Sequence, residues 1–143
     1  MKVEQIAIFL ENRSGRLAEI TEILAGKGIH IFAMSLADTS DFGILRLIVN
    51  DTENARKVLK ENGFTVGSTN VVVAEVQDKP GGLANVLQII KKAGLNVEYL
   101  YAITRKSGET GLIILRFEKI DAAIDVLVKA GVRLLSGEEV YAI

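Results

Sequence analysis

The sequence of 143 residues contains no cysteine and no tryptophan, only one proline and only one histidine. Without cysteine, disulfide bonds, thiolate catalysis and cysteine-ligated zinc or iron–sulfur centres are excluded. The single histidine, His30, has no second histidine or cysteine with which to bind a metal, and a general base would need partners as well. We therefore expect a satisfied or solvent-facing histidine, and we predict no catalytic residue, no cofactor and no metal site.

Two further absences concern charge and hydrophobic runs. The formal net charge is −1, so the chain lacks the basic footprint that binds nucleic acid or an anionic membrane. No uninterrupted apolar stretch approaches the roughly 18 residues that a membrane span needs, and the first residues lack the apolar run of a secretory signal. We predict no nucleic-acid partner and no membrane partner, and we expect a soluble cytoplasmic protein.

The most informative feature that is present is an internal repeat. Residues 12–17 read Asn-Arg-Ser-Gly-Arg-Leu, and residues 78–83 read Asp-Lys-Pro-Gly-Gly-Leu. Leu17 corresponds to Leu83 and Gly28 to Gly94, which is a constant shift of 66 residues. The repeat predicts two units, residues 1–68 and residues 69–143. Because separate cores are marginal at about 70 residues, the two units are expected to pack together.

Apolar periodicity predicts the order strand, helix, strand, strand, helix, strand in each unit. In the first unit we expect strands at 3–10, 29–36, 44–49 and from 64, with helices after Leu17 and from a capping box at Asn50 and Glu53. In the second unit we expect strands at 71–76, 95–103, 111–117 and 132–135, and helices at 83–92 and 122–130. This order, found twice, predicts an α+β fold of two ferredoxin-like units, with antiparallel sheets and helices on one face.

Three details of this pattern carry separate expectations. The second hairpin, at residues 106–109, is two residues longer than the first. Residues 140–143 align with a repeated strand, so we expect them to form an extra strand that pairs back onto a sheet. Residues 44–49 and 112–115 are apolar on both faces, which indicates either buried central strands or an open sheet face covered by another subunit.

A glycine at the start of a helix has two possible uses. It lets the backbone approach a ligand closely, where the free N–H groups and the dipole of the first turn favour an anion such as a carboxylate. Asn12 and Asp78 beside the glycines are suited to meet an ammonium group or to cap the helix. Alternatively, Gly15 and Gly81 only permit tight packing of the helix against a strand.

Both loops resemble the glycine loop of ACT domains. Residues 78–83 are similar to the Asp-x-Pro-Gly-x-Leu motif of that family, and residues 12–17 are similar to its Asn-x-x-Gly form. Residues 28–31 and 94–97 resemble the family's Gly-hydrophobic-Asn-hydrophobic start of the second strand. The first copy departs from the pattern because it lacks the proline and has His30 where asparagine is common.

The resemblance implies a function and a set of ligand contacts. ACT domains are small regulatory modules that bind amino acids at the interface between two such units, through the glycine loop, the start of the first helix and the facing second strand. Carried over by position, the implied ligand-binding residues of the first unit are Asn12, Arg13, Gly15, Arg16, Leu17, Met34 and Ser35. Those of the second unit are Asp78, Lys79, Gly81, Gly82, Leu83, Tyr99, Leu100 and Tyr101.

Isolated side chains in the strands leave alternatives open. Tyr99 and Tyr101 lie two residues apart and therefore share one face of a strand, where they would stack on a ligand or pack in a core or an interface. Arg46 and Arg116 stand alone in apolar strands, where they would anchor a ligand carboxylate, form a subunit salt bridge or simply point outward.

The implied protein is a non-enzymatic sensor of a free amino acid. We expect a homodimer and, as a regulated partner, an enzyme of amino-acid metabolism. The alternative is a ligand-independent dimerisation or scaffold module for such an enzyme. Because the two loops differ in sequence, two sites of unequal affinity, or one working site, are expected rather than a matched pair.

Overall fold

The computed structural model describes residues 1–103 and 110–143, so the hairpin at residues 106–109 lies outside the described residues. The chain divides into two compact units. Glu4–Thr69 form one, called here the amino-terminal unit, and Met1–Val3 with Asn70–Ile143 form the other, the carboxy-terminal unit. In chain order the elements are β1 (Val3–Glu11), α1 (Arg16–Gly26), β2 (Ile31–Asp38), β3 (Phe42–Val49), α2 (Thr52–Glu61), β4 (Thr65–Gln77), α3 (Gly82–Lys92), β5 (Val97–Ile103), β6 (Thr110–Phe117), α4 (Ile120–Lys129), β7 (Leu134–Leu135) and α5 (Gly137–Tyr141).

The predicted fold class is confirmed, and the order of elements agrees with the prediction except at β4 and at the carboxy-terminal residues. In the amino-terminal unit β3 lies between β2 and β1, and both pairings are antiparallel. In the carboxy-terminal unit the strand order is β5-β6-β4-β7, again antiparallel. Each unit is an α+β sandwich of the ferredoxin-like type. Among the described residues, no helix is long and apolar enough to cross a membrane.

Each core follows from the spacing of its apolar residues. In β1, alternation places Ile6, Ile8 and Leu10 on one face of the sheet, where they are buried. In α1, Ile20 and Leu24 lie four residues apart and therefore share the helix face that packs on these strands. The carboxy-terminal unit repeats this arrangement with α3 and α4 on one face of its sheet.

Strand β4 is longer than the sequence predicts. We expected separate strands from residue 64 and at residues 71–76, but one continuous strand runs over Thr65–Gln77. Residues 67–70, Gly-Ser-Thr-Asn, are turn formers by composition, yet they remain extended here. Local propensity is overridden in this segment because it continues a strand whose later half is fully buried at Val71, Val72 and Val73.

The prediction that the carboxy-terminal residues form a strand is wrong. They form the short helix α5 instead. Its first turn is fixed by a capping box, in which the Ser136 side chain accepts a hydrogen bond from the Glu139 amide at 3.2 Å and Glu139 accepts one from the Ser136 amide at 3.2 Å. The buried Val140 anchors the helix. The Ser-x-x-Glu pattern thus outweighs the resemblance of residues 140–143 to a strand.

One smaller expectation also changes. Helix α2 begins one residue later than the expected capping box: Asp51 is the N-cap and accepts from the Asn54 amide, while Asn50 accepts from the His30 amide at 3.0 Å. Ile48 and Ile114, on the sheet faces opposite the helices, are 0% exposed within the single chain. The choice between buried central strands and a sheet face covered by another subunit stays a prediction.

Candidate ligand-binding clefts

The two glycine loops have the same backbone geometry. Gly15 and Gly81 are the N-caps of α1 and α3, with φ of 87° and 89°. This left-handed conformation explains why both positions are glycine, since other residues rarely adopt it. Because the N-cap is glycine, neither Asn12 nor Asp78 occupies the capping position, and neither cap residue supplies a side-chain hydrogen bond.

Loop backbones leave two amide groups at the start of each helix without a capping side chain. At α3, the Gly82 amide donates to the Lys79 carbonyl oxygen at 3.0 Å and the Asn85 amide to the Gly81 carbonyl oxygen at 2.9 Å. Within the described part of the chain, no side chain caps the amides of Leu83 and Ala84. Exposed N–H groups at a helix start favour an anion, so a carboxylate suits this position.

A second glycine tightens the loop before α3. Gly82 is buried, and a Cβ at this position would overlap the Gln77 carbonyl oxygen, well inside the 3.0 Å below which Cβ contacts essentially never occur. Its equivalent in the amino-terminal unit is Arg16, where the loop hydrogen bond to the Arg13 carbonyl oxygen is longer, at 3.4 Å. Gly82 therefore has a structural role that does not depend on any ligand.

A cleft of about 330 Å³ opens beside the second loop, and we call it the carboxy-terminal cleft. It lies between the loop, the end of β5 and the start of β6. Among the described residues of the lining, Gln77, Asp78, Lys79 and Thr110 are polar. The others are aliphatic or small, namely Val76, Leu83, Ala102, Ile103, Gly111, Leu112 and Ile113. Protein sites for small ligands typically measure about 300–1,000 Å³, so this cleft falls at the lower end of that range.

The equivalent hollow beside the first loop, the amino-terminal cleft, measures only about 100 Å³. Its lining residues are Leu10, Glu11, Asn12, Arg13, Leu17, Leu36, Asp38 and Gly43. Seven of these eight lining residues correspond to residues of the larger cleft through the shift of 66 residues, or 68 beyond the hairpin. The equivalents of Ile103, Thr110 and Leu112, namely Ala37, Phe42 and Ile44, line a separate hollow of about 310 Å³ that contains no residue of the loop 12–17. Two loops of the same backbone geometry thus flank spaces of very different size.

One pair of equivalent residues accounts for this difference in size. Leu36 of β2 lies over Gly43, with its Cδ1 atom 3.4 Å from the position that a Cβ on Gly43 would take. The equivalent of Leu36 in the carboxy-terminal unit is Ala102, which cannot reach across. Among the described residues, the nearest atom to the same position on Gly111 is a methyl group of Val76 at 4.0 Å. The leucine fills its cleft, and the alanine leaves the other open.

The polar side chains of the two loops differ as well. The Asn12 amide donates to Asp38 Oδ2 at 3.1 Å and to two turn carbonyl oxygens at 3.3 Å, so it holds the β2–β3 turn. Arg13 Nε lies 3.5 Å from a carboxylate oxygen of Glu11. Asp78 and Lys79, by contrast, form no ion pair with any residue that the structure describes.

Arg16, one of the implied ligand contacts, does not line the amino-terminal cleft and contacts other residues of its own unit. Its guanidinium forms ion pairs with Glu19 at 3.0 Å and Glu11 at 3.3 Å, and lies 5.2 Å from the centre of the Phe64 ring. Hydrogen bonding to Glu19 raises the pKa of Arg16 above its ordinary value. Arg16 lines a separate hollow of about 210 Å³, on the Phe64 side of the loop.

This charged cluster is absent from the second unit. The equivalents of Glu11, Arg16 and Glu19 are Gln77, Gly82 and Asn85, all uncharged. They line a groove of about 590 Å³ that also contains Arg133, whose guanidinium lies 2.9 Å from Glu75 and 2.7 Å from Glu139. The hydrogen bond from Arg133 lowers the pKa of Glu139.

The implied contacts on the second strands fall on two different faces. Met34 pairs with Leu47 and Leu100 with Leu115, so both lie on the helix side of their sheets. Ser35 pairs with Arg46, and the two tyrosines, Tyr99 and Tyr101, pair with Arg116 and Ile114 on the opposite face. The tyrosines do point the same way, but neither lines the carboxy-terminal cleft. Arg116 donates to the Asn70 carbonyl oxygen at 3.0 Å.

The residues that set the cleft volumes are not all among the predicted ligand contacts. Ala102 and Leu36 come from the second strands, and Ile103, Thr110 and Leu112 line the larger cleft. The signal was available, because the shift of 66 residues pairs Leu36 with Ala102. What was lacking was the register, which pairs Leu36 with Leu45 and Ala102 with Ile113 and so places both on the helix side of their sheets.

Metal ligation has no support among the described residues, where no group of three or more His, Asp or Glu side chains is suited to hold an ion. His30 packs edge-on against Phe32, with ring centres 4.7 Å apart.

Comparison with known families shows to which family the chain belongs. The family model described as an ACT domain pair matches residues 1–143. The chain belongs to the ACT domain pair family. The resemblance noted from the loop motifs is thereby confirmed over the whole chain. ACT domains are regulatory modules that bind amino acids.

Solved structures agree with this ACT-domain assignment, although no curated protein matches the sequence significantly. Protein BT0572 from Bacteroides thetaiotaomicron is 40% identical, with 100% of this chain and 98% of that chain covered and a TM-score of 0.94. The regulatory subunit of aspartate kinase from Thermus thermophilus is 18% identical, covers 89% of this chain and 91% of that one, and has a TM-score of 0.62. Aspartate kinase from Synechocystis is 16% identical, with coverages of 89% and 25% and a TM-score of 0.59. The last two likenesses establish the fold alone.

Proposed function

We propose that this chain is a non-catalytic regulatory protein that binds a free amino acid at its glycine-loop cleft, and that a unit of a second chain covers the ligand. The observation that carries the proposal is the open carboxy-terminal cleft of about 330 Å³ at the start of α3. Its lining contains two oppositely charged residues, Asp78 and Lys79, together with Leu83 of the first turn of α3, where no described side chain caps the helix. Such a cleft offers partners to both charged groups of a zwitterion.

Ligand binding is tested by thermal unfolding with each of the twenty amino acids. A ligand that binds only the folded state stabilises it by about 2.7 kcal/mol at a concentration of about one hundred times Kd. For a cooperative unit of this length the unfolding entropy is about 0.3 kcal/mol per kelvin, so the midpoint should rise by about 9 °C. The expected result is such a rise for one amino acid or a related set. No rise with any of the twenty refutes amino-acid sensing.

Association of two chains is the second part of the proposal. Support comes from Leu17, Met34 and Leu36, which lie on the helix side at the β2 edge of the amino-terminal unit and are 37%, 46% and 48% exposed. Exposed apolar side chains at a sheet edge favour contact with a partner. A ligand changes the assembly only through its different affinities for the assembled and separate states. Thermal unfolding identifies the ligand. Sedimentation equilibrium with and without this ligand then measures its effect on the association of two chains.

Regulation of an enzyme of amino-acid metabolism is the third part, and it rests on the family alone. A pull-down with the purified chain, with and without ligand, tests whether such an enzyme binds and whether the ligand changes the amount recovered.

A scaffold without a ligand is the second candidate, and one observation favours it. Gly82 is required by the overlap of any Cβ with the Gln77 carbonyl oxygen, so the second glycine of the loop is explained without a ligand. The scaffold predicts the same oligomer and the same thermal midpoint with every amino acid. A ligand-dependent change in either measurement excludes it.

A further inference from the structure

We infer that, of the two glycine-loop clefts, only the carboxy-terminal one binds a ligand, and that this ligand is an amino acid with an aliphatic side chain of about the size of leucine or isoleucine. The inference rests on the proposed function and adds to it the number of sites and the chemical class of the ligand.

The number of sites follows from volume. A water molecule takes up about 30 Å³ in the liquid, so the amino-terminal cleft of about 100 Å³ has room for roughly three waters. The carboxy-terminal cleft of about 330 Å³ has room for roughly eleven, which suits an amino acid with about nine non-hydrogen atoms. A further hollow of about 310 Å³ in the amino-terminal unit, lined by Phe9, Phe42 and Ile44 among others, contains no residue of the loop 12–17. Leu36 therefore closes the space beside the first loop, and its equivalent, Ala102, leaves the space beside the second loop open.

The side-chain class follows from the lining of the open cleft. Val76, Ile103 and Leu112 are 7%, 5% and 1% exposed and offer only methyl and methylene groups. A charged ligand side chain placed against these three side chains would lose its hydration and gain no partner from them, which is strongly unfavourable. An aliphatic side chain gains from burial there. The aliphatic part of the described lining therefore selects against acidic and basic amino acids.

The charged groups of the ligand have separate partners at the mouth of the cleft. Asp78 and Lys79 are exposed, and no described residue pairs with either. The uncapped amides of Leu83 and Ala84 attract the carboxylate, and Asp78 attracts the ammonium group. In the amino-terminal loop, the equivalent Asn12 and Arg13 are already bonded to Asp38 and Glu11. The unpaired charged side chains and the larger volume thus both indicate the carboxy-terminal cleft as the binding site.

Isothermal titration calorimetry on the full chain tests the inference. The ligands are leucine, isoleucine, valine, serine, aspartate and lysine, and the variants are Ala102→Leu and Leu36→Ala. We expect one site per chain, leucine or isoleucine binding at least tenfold more tightly than valine, and aspartate and lysine binding more than a hundredfold more weakly. Ala102→Leu should weaken leucine binding at least a hundredfold. Leu36→Ala, the matched control in the other unit, should change leucine affinity at the wild-type site by less than threefold.

The contrary outcomes separate the inference from the function on which it rests. Tighter binding of serine, aspartate or lysine, or two equivalent sites per chain, overturns the inference and leaves amino-acid sensing intact. Full leucine affinity in Ala102→Leu overturns it as well. No binding by any amino acid overturns both. Should Ala102→Leu fail to fold, Ala102→Val fills the cleft less and is expected to weaken leucine binding about tenfold.

Discussion

Replacing Gly82 by alanine should destabilise the carboxy-terminal unit, because the added Cβ has no space. It would overlap the Gln77 carbonyl oxygen, which is backbone and cannot turn aside as a flexible side chain would. Overpacking of a buried position costs about 1–3 kcal/mol and occasionally more. Because the obstacle is backbone, we expect about 3 kcal/mol. With an unfolding entropy of about 0.3 kcal/mol per kelvin for the chain, the midpoint should fall by about 10 °C.

Gly26→Ala is the matched control for this substitution. Gly26 lies in the last turn of α1 with a helical backbone, and a Cβ there would have nothing within 4 Å. Alanine should therefore stabilise the chain by about 0.4–1 kcal/mol, since it reduces the entropy of the unfolded state. Chemical denaturation monitored by circular dichroism measures both variants. If Gly82→Ala is as stable as wild type while Gly26→Ala behaves as expected, the tight loop geometry and the structural role assigned to Gly82 are wrong.

Three further predictions concern the turn and the carboxy-terminal helix. Asn12→Ala removes the amide that holds the β2–β3 turn and should cost about 1 kcal/mol in a denaturation experiment; an unchanged midpoint would show that these exposed hydrogen bonds add nothing. Ser136→Ala removes the capping box and should cost about 1 kcal/mol, with faster amide exchange confined to residues 137–141 if the cap acts locally. The Glu139 pKa is lowered in the folded state by Arg133 and the Ser136 amide, so its contribution is complete above its ordinary pKa of 4.5 and is lost as pH falls below it. Denaturation between pH 7 and pH 3 should therefore show a smaller acid-induced loss in Glu139→Gln than in wild type, and equal losses would contradict this assignment.

Most of the fold is predictable from the sequence because two periodic signals agree. The shift that relates Leu17 to Leu83 fixes two units, and the strand and helix periods within each unit are long enough to identify its elements. The secondary structure is predicted wrongly in two segments, where the local composition and the pattern of the wider sequence indicate different structures. The segment 67–70 has turn composition but continues β4, and residues 140–143 resemble a strand but follow the Ser136 cap.

The candidate site is only half predictable for a physical reason. The loop residues are recognisable because a left-handed N-cap requires glycine at 15 and 81 and because the motif repeats. The clefts depend instead on which side chains of β2 and β5 lie on the helix side, and this depends on strand register. Register places Leu36 and Ala102 toward the clefts and turns Tyr99 and Tyr101 to the other face.

The most direct test of the central claim is a ¹⁵N–¹H correlation spectrum of the labelled chain titrated with leucine. Binding at the carboxy-terminal cleft should shift the amide resonances of Leu83, Ala84 and Lys79, which surround the expected position of the carboxylate. Those of Leu17 and Ala18, at the closed cleft, should stay in place. Equal shifts at both loops, or shifts at Leu17 and Ala18 alone, would contradict the account.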